Sequence, residues 1–506
     1  MRRPTISLNQ DLCIILRDLG LLVPVVGIMA VISLIVPAVF GESYAILPLV
    51  ITAAVSFALG ATLYLPFRHT GGEARLKHGM IIASFGWLLV ATLGALPFLL
   101  TAHFAQQIGV GSQTLMYFRD PTSAFFESVS GYTGTGLTMA ALANTLPKTL
   151  QWWRSFMEWV GGMGVIVLML AILAGPRPGA GTYSLYYAEA RAEKIHPSIV
   201  STLRTMWWIF LLYTFISVVA LWGTGMPIWE AVNHAMTGIS TGGFSVTDNS
   251  IASYNSTAIE LVLLPIMFFG AISFAVHYEL MRGNGRALWR DFQSRWLLLV
   301  LILGILFLTL ENVLRLGPLP AARRSTFQFV SAMTCTGFQT ADIGGWSATA
   351  KLLLAAGMFI GGAAGSTAGG IKVMRMLILL KGAGWRFRQI ISPRGAIVPF
   401  RIGTTVVDEA NVGQRLEDAA LIAFLWVIFL GLGIVVLLHT STPNFTLSDV
   451  IFEVASAQGN VGLSVGITHP EMATLSKLTL CFNMWIGRLE IIPVLMLVRS
   501  LCFGVQ

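Results

Sequence analysis

Charge is scarce in this chain. Of 506 residues only 11% are Asp, Glu, Lys or Arg, while 55% are hydrophobic and the mean hydropathy is +0.75. A water-soluble protein of this length needs a charged surface around each of its domains, so the shortage excludes a string of soluble domains and leaves a polytopic membrane protein. Cysteine is scarce too. Cys13, Cys335, Cys481 and Cys502 follow no CxxC or metal-ligand spacing, which excludes a disulfide framework and a zinc site. No HExxH string and no pair of aspartates inside an apolar run occurs, so the motifs of an intramembrane metalloprotease or aspartyl protease are missing. A cleavable signal peptide is also disfavoured. The apolar stretch from Leu19 to Phe40 is too long for one and carries no clear small-residue cleavage site, so a retained first helix is expected.

What is present is a series of apolar runs, each near the roughly 20 residues needed to cross about 30 Å of hydrocarbon. They cover 19–40, 45–66, 79–101, 156–174, 205–223, 259–280, 294–311, 348–361, 416–438 and 474–498, and 348–361 is short for a span. The net charge of +8 does not form one basic face of the kind that binds nucleic acid. The bases gather in alternate loops: Arg2 and Arg3; Arg68, Arg75 and Lys77; Arg177, Arg191, Lys194 and Arg204; Arg282 to Arg295; and Lys372 to Arg401. The positive-inside rule makes these loops, and both termini, cytoplasmic, although Lys148, Arg323 and Arg324 fall in outward loops.

Beneath the hydropathy lies a fourfold repeat. The segments TGTGL, STGGF, TCTGF and GNVGL share the glycines Gly136, Gly243, Gly337 and Gly462, at spacings of 107, 94 and 125 residues. Ten residues before each glycine stand Phe126, Asn233, Phe327 and Phe452; nine before, Glu127, His234, Gln328 and Glu453; six before, Ser130, Thr237, Ser331 and Ser456. Two residues after come Thr138, Ser245, Gln339 and Ser464. Each repeat reads as an apolar helix, an outward loop, a short helix of about ten residues, a polar turn and a second apolar helix. The short helix cannot span, so it must enter the membrane and turn back, and extended backbone at that depth is tolerated only where protein shields it or water reaches it.

Four such turns around one axis suit a cation pathway. A permeating cation must exchange its water shell for fixed oxygens, and a ring of backbone carbonyls supplies them without fixed charge. Glycine permits the dihedrals that aim those carbonyls inward, and the negative ends of the short helices favour a cation there. The candidate filter is Thr133, Gly134, Thr135 and Gly136; Ser240, Thr241, Gly242 and Gly243; Thr334, Cys335, Thr336 and Gly337; and Gly459, Asn460, Val461 and Gly462. The fourth turn lacks threonine and the second has Gly242 where Thr135 and Thr336 stand, so hydroxyl coordination is not expected in every repeat. Glu127, His234, Gln328 and Glu453 have two readings: they attract cations, or they hydrogen-bond the backbone outside the filter.

On these motifs, together with GGAAGSTAGGIK (361–372) and IGRLE (486–490), the chain resembles the superfamily of K+ transporters that holds the bacterial Trk and Ktr systems and their plant and fungal relatives. The helix pair before residue 70 is similar to the TrkH/TrkG branch. The resemblance implies an all-α polytopic membrane protein with four fused membrane-pore-membrane repeats around one pore, preceded by an extra N-terminal helix pair. The corresponding units are residues 1–70, then repeats at 71–180, 181–290, 291–400 and 401–506. It further implies K+ as the transported ion, no organic cofactor, no enzymatic activity and no nucleic-acid partner. The expected partners are membrane lipid, a second copy of the chain, and a cytoplasmic nucleotide-binding regulator of the TrkA kind. The expected location is a bacterial plasma membrane.

Two further features sit on the inner side of that pathway. Gly361, Gly362, Gly365, Gly369 and Gly370 with Ser366 and Thr367 cannot make a stable helix. They read either as a seam for close helix packing or, as the resemblance implies, as an intramembrane gate loop. Arg488 falls near the middle of 474–498, where a charge is costly unless it faces water or a partner. It either faces the pore or pairs with Glu490. The functional expectation is K+ uptake through a gated, channel-like pore driven by membrane potential. The alternative is a symporter coupling K+ to H+ or Na+.

Overall fold

The computed structural model describes residues 10–504 apart from 72–73, 165–166, 168–197, 394–395, 397, 404, 408 and 443. Arg2, Arg3, Arg177, Arg191, Lys194 and Arg394 of the basic loops, and the second half of the span expected at 156–174, lie largely outside the described residues. Six described helices are long and apolar enough to cross a membrane: Gln10–Phe40, Ser43–Phe67, Leu76–Gln107, Val200–Gly223, Phe292–Leu316 and Val412–Thr440. A small antiparallel hairpin, Phe400–Ile402 with Thr405–Val407, interrupts the helical pattern between the third and fourth repeats.

Between these spans lie four short helices, Pro121–Thr133, Ile228–Ile239, Pro318–Met333 and Leu447–Gln458. Their lengths of 13, 12, 16 and 12 residues fall below what a span requires. Their starts are set locally. Asp120 accepts from the amides of Thr122 and Ser123, and Thr446 and Asp449 form a reciprocal capping box. Each is followed by a polar turn and then a second helix: Lys148–Met163, Thr257–Gly270, Ala348–Ile360 and Thr474–Arg488.

Hydropathy misreads two of these second helices. The apolar run 259–280 is not one straight helix: it breaks after Gly270 and resumes at Phe274 with a bend of 109°. The run 474–498 breaks at Leu489–Ile491, where Glu490 (φ 57°) and Ile491 (φ 72°) take left-handed backbone, so Arg488 ends a helix and Glu490 lies in the break rather than mid-helix. The third repeat breaks at Gly361, as its glycine content requires. The cause is steric. Gly161, Gly270 and Gly487 occupy one register, and a Cβ there would lie 2.1, 2.8 and 1.9 Å from the carbonyl oxygens of Tyr132, Ile239 and Gln458, each at the end of a short helix. Close approach of a short helix to the helix behind it therefore requires glycine, and glycine weakens the helix at that point.

The repeats are tied into a ring at the start of these second helices. Gln151, Glu260, Lys351 and Lys477 share one register, and each reaches forward to the next repeat's short helix or the residue that caps it. Trp229 Nε1 donates to Gln151 at 2.9 Å, and Arg323 grips Glu260 in two bonds of 2.7 and 2.8 Å. Lys351 Nζ donates to Asp449 at 2.5 Å, and Lys477 Nζ closes the circle on Asp120 and Ser123 at 3.0 and 2.9 Å. The N-terminal helix pair joins the first repeat through Glu42, whose carboxylate accepts from the amides of Lys148 and Thr149 at 2.6 and 2.8 Å.

Both members of the Lys351–Asp449 pair are buried. Removing one charge leaves the other uncompensated, a loss of about 3–5 kcal/mol. Lys351→Met should therefore lower the thermal unfolding midpoint of the purified protein, and Lys351→Met with Asp449→Asn should recover most of it. A single variant as stable as the parent would show that the tie carries no load.

Candidate functional site

The four turns close on one another. A Cβ on Gly136 would lie 2.2 Å from Gly242 O, and one on Gly243 would lie 1.9 Å from Thr336 O. One on Gly337 would lie 2.0 Å from Val461 O, and one on Gly462 2.1 Å from Thr135 O. Each shared glycine thus faces the carbonyl that precedes the next shared glycine, and the fourth returns to the first. The glycines have φ of 86°, 83°, 86° and 94°, a region unfavourable to any side chain. Two residues before them, Gly134, Thr241, Cys335 and Asn460 also have positive φ, at 64°, 53°, 56° and 53°. Non-glycine residues held there signal backbone that its surroundings over-determine.

The columns seen in the sequence hold this backbone in place. The amides of Thr135, Gly242, Thr336 and Val461 donate to the carbonyls of Ser130, Thr237, Ser331 and Ser456 at 2.8–2.9 Å, hooking each turn onto its short helix. On the other side of the ring, Thr138 donates to Glu127 at 2.8 Å, Ser245 lies 2.9 Å from His234 Nε2, and Ser464 donates to Glu453 at 2.7 Å. Glu127 also accepts from Met139 N, Glu453 from Val465 N and Thr468 N, and Gln328 from Thr340 N. Of the two readings of these four polar residues, the geometry matches bracing of the backbone. Glu127 is further neutralised by Arg154 at 2.6 Å, whose other nitrogens reach Ser245 O and Thr138.

A cavity of about 520 Å³ opens above the four shared glycines, with Asp248 and Asp342 on its wall. On the opposite side lies the segment 361–372. Gly370 N donates to Gly459 O at 3.1 Å, and Thr241 Oγ1 donates to Thr367 Oγ1 at 3.0 Å, so the segment runs beneath the fourth and second turns. It rests on the break in the second repeat. Ala363 N donates to Ala271 O at 2.9 Å, Thr367 Oγ1 to Gly270 O at 2.8 Å, and Phe274 N to Gly365 O at 3.1 Å. Ser366 and Thr367 are buried. Arg488 completes the enclosure at the first repeat, donating to Gly161 O at 2.5 Å, Gly162 O at 3.1 Å and Thr367 O at 3.4 Å. Glu490 pairs with Arg375 instead. The segment is therefore a docked loop, with Gly361, Gly362, Gly369 and Gly370 at its two feet.

All sixteen residues of the four turns fall on the ring or immediately behind it. Thr133 and Thr135 face each other at 2.7 Å, as Thr334 and Thr336 do at 2.8 Å. Asn460 Nδ2 donates to Thr135 at 3.0 Å and to Met484 O at 2.9 Å, a polar link in the turn that lacks threonine. Residues 238–242, GISTG, match the letters of a serine-nucleophile motif. No strand precedes them, and Ser240 Oγ donates to Thr237 O, so the strand-turn-helix that motif needs is absent there. Two residues escaped the sequence reading. His277 is buried, with Nε2 2.9 Å from Phe269 O and Nδ1 3.2 Å from Tyr213 Oη, stapling the bend. Glu158 lies wholly buried behind the second turn and accepts from Phe244 N at 2.9 Å. Its signal was visible: an acid amid the apolar and glycine residues of 155–165.

The family model described as cation transport protein, TrkH, matches residues 48–502. An uncharacterised cation transporter of Methanocaldococcus jannaschii is 32% identical over 505 residues, covering 98% of this chain and 97% of that protein. The Trk system potassium uptake protein TrkH of Salmonella typhimurium is 30% identical over 458 residues, covering 88% and 90%. The crystal structure of the potassium transporter TrkH from Vibrio parahaemolyticus superposes with a TM-score of 0.80 at 28% identity, covering 97% of this chain and 99% of that one.

The bracing role of Glu453 is open to a direct measurement. Glu453→Ala removes the acceptor of Val465 N and Thr468 N, and a lost hydrogen bond worth about 1–1.5 kcal/mol corresponds to roughly tenfold faster exchange. Hydrogen exchange at those two amides should rise by that factor, while exchange in Leu447–Gln458 changes little. Unaltered protection would contradict the brace.

Proposed function

We propose that this chain, which belongs to the TrkH family of cation transport proteins, takes up K+ through a gated, channel-like pore whose filter is the ring of four turns. The observation that carries the reading is the closed circuit of glycines and carbonyls linking Gly136, Gly243, Gly337 and Gly462. The carbonyls of Thr135, Gly242, Thr336 and Val461 replace the water around the ion, and the braced backbone keeps them at a fixed radius. The C-terminal ends of four short helices add their negative dipole ends. An inside-negative potential supplies about 2.3 kcal/mol per charge per 100 mV for inward movement. The family is one of cation transporters and not a class of enzymes.

In this reading the loop 361–370 is the gate, and Arg488 both latches it and repels an entering cation. The repeats are the units 71–180, 181–290, 291–400 and 401–506, following the N-terminal pair 1–70. The chain resides as a homodimer in a bacterial plasma membrane with both termini cytoplasmic, and its exposed apolar side chains, such as Phe215, Ile302 and Leu432, face lipid. A TrkA-like nucleotide-binding protein docks on the basic loops and shifts the loop. K+ is cargo, and the reading calls for no organic cofactor. The alternative, symport with H+ or Na+, needs an ionisable group acting at the ring: Glu490 is committed to Arg375, which leaves the Glu158 carboxyl, an acceptor of Phe244 N behind the second turn, as the group such coupling would use.

Two outcomes test this. In proteoliposomes the reversal potential should follow the K+ gradient and ignore pH and Na+ gradients. A potential that ignores K+ overturns the reading, and one that follows pH or Na+ selects symport. Gly243→Ser, which forces a side chain against Thr336 O, should raise the Na+/K+ permeability ratio at equal protein level. For the gate, Arg488→Ala should raise K+ flux measured without the cytoplasmic protein, and adding that protein should stimulate the parent more than the variant. A fall in flux together with a lower thermal midpoint would assign Arg488 a structural role.

A further inference from the structure

Glu158 stands apart from its equivalents. It lies three residues before Gly161, and the same register in the other repeats holds Met267, Met358 and Met484 before Gly270, Gly361 and Gly487. All four side chains are fully buried. The turn it faces also departs from the others. Gly242 occupies the position held by Thr135, Thr336 and Val461 elsewhere. The two departures meet: a Cβ on residue 242 would lie 2.5 Å from the Glu158 carboxyl carbon. The carboxyl group fills the space that a side chain on the turn fills in the other repeats.

This exchange has a mechanical consequence. The second turn is the one with two consecutive glycines, Gly242 and Gly243, so no side chain restrains its backbone at either position. Glu158 Oε2 accepts from Phe244 N at 2.9 Å and pins the residue that follows them. Among the described residues Oε1 is buried without a hydrogen-bond partner, and it lies 3.5 Å from where a Cβ on Gly136 would sit, at the seam between the first and second turns. Arg154, one helical turn away, is engaged by Glu127, Thr138 and Ser245 O. The carboxyl group is thus directed at the ring and not at an ion pair.

We propose that Glu158 is a specificity-determining positioning residue, replacing from the side the bulk and the hold that the Gly242–Gly243 turn lacks, and so fixing the radius of one quadrant of the ring. The inference rests on the reading of the ring as a K+ filter. It makes the pair Glu158/Gly242 interchangeable with the Met/Thr pair of its neighbours: Met484 with Thr135 and Met267 with Thr336.

The test is the Na+/K+ permeability ratio from reversal potentials of reconstituted protein, at matched amounts of folded material. Glu158→Met should raise the ratio severalfold. Glu158→Gln, whose amide oxygen can still accept from Phe244 N, should stay near the parent. Gly242→Thr alone collides with the Glu158 carboxyl and should impair both folding and selectivity, whereas Glu158→Met with Gly242→Thr should restore discrimination toward the parent. The double variant keeps the test decisive if the single Met variant folds poorly. Equal ratios in parent and Glu158→Met, or no recovery in the double variant, overturn the inference. A parent that itself fails to discriminate K+ from Na+ brings down the filter reading, and this inference with it.

Discussion

The carbonyl of one turn lies where the side chain of its neighbour's glycine would begin, and the relation runs around all four turns until it closes. No single turn can move toward the axis without displacing the next, and none can move away without opening a gap at two seams. A polar backbone segment in an apolar slab has few alternatives: its amides and carbonyls must find partners inside the protein or reach water. Here the amides of the turns hook back onto the short helices, at Ser130, Thr237, Ser331 and Ser456, and the carbonyls of Thr135, Gly242, Thr336 and Val461 lie against the shared glycines of the adjacent turns. The remainder of the fold positions that circuit. The inter-repeat ties from Gln151, Glu260, Lys351 and Lys477 fix the four short helices relative to one another, and the braces from Glu127, His234, Gln328 and Glu453 fix where each turn leaves the ring.

The ring is equivalent in backbone and unequal in chemistry. Positive φ recurs at the same two positions of every turn, whatever residue occupies them. The side chains behind the turns vary because each brace need only present an acceptor or a donor at the right place. A carboxylate, an imidazole and a carboxamide all do so. The ties show the same tolerance. A tryptophan–glutamine bond, an arginine–glutamate fork and two lysine–aspartate pairs occupy one register around the ring, so geometry is repeated where residue identity is not.

That distinction explains what the sequence made legible. The shared glycines and the columns around them are dictated by backbone sterics, which admit one residue type or a narrow set, so the repeat and its turns could be read directly. The ties could not, since a neutral amide at Gln151, a carboxylate at Glu260 and ammonium groups at Lys351 and Lys477 make no common column. The breaks in 259–280 and 474–498 were hidden for another reason. Hydropathy averages over about 20 residues and cannot register that Gly270 or Gly487 must admit the end of a short helix. The burial of His277 was hidden by the same averaging: a straight helix would carry it to the end of the span, whereas the 109° bend folds it back against Phe269.

The breaks also account for how the loop is held. A helix that stops short leaves its last carbonyls without amide partners, and buried carbonyls need substitutes. In the second repeat the loop supplies them to Gly270 and Ala271 through Thr367 and Ala363, and in the first Arg488 adds its own donors at Gly161 O and Gly162 O. The loop is thus docked on the helix ends that the close approach of the short helices created. Were it displaced, those carbonyls would be uncovered and water would have to take over their hydrogen bonds. In the proposed reading of this loop as the gate, opening beneath the ring would therefore be coupled to wetting of the same passage, and the carbonyls that secure the docked loop would become part of its polar lining.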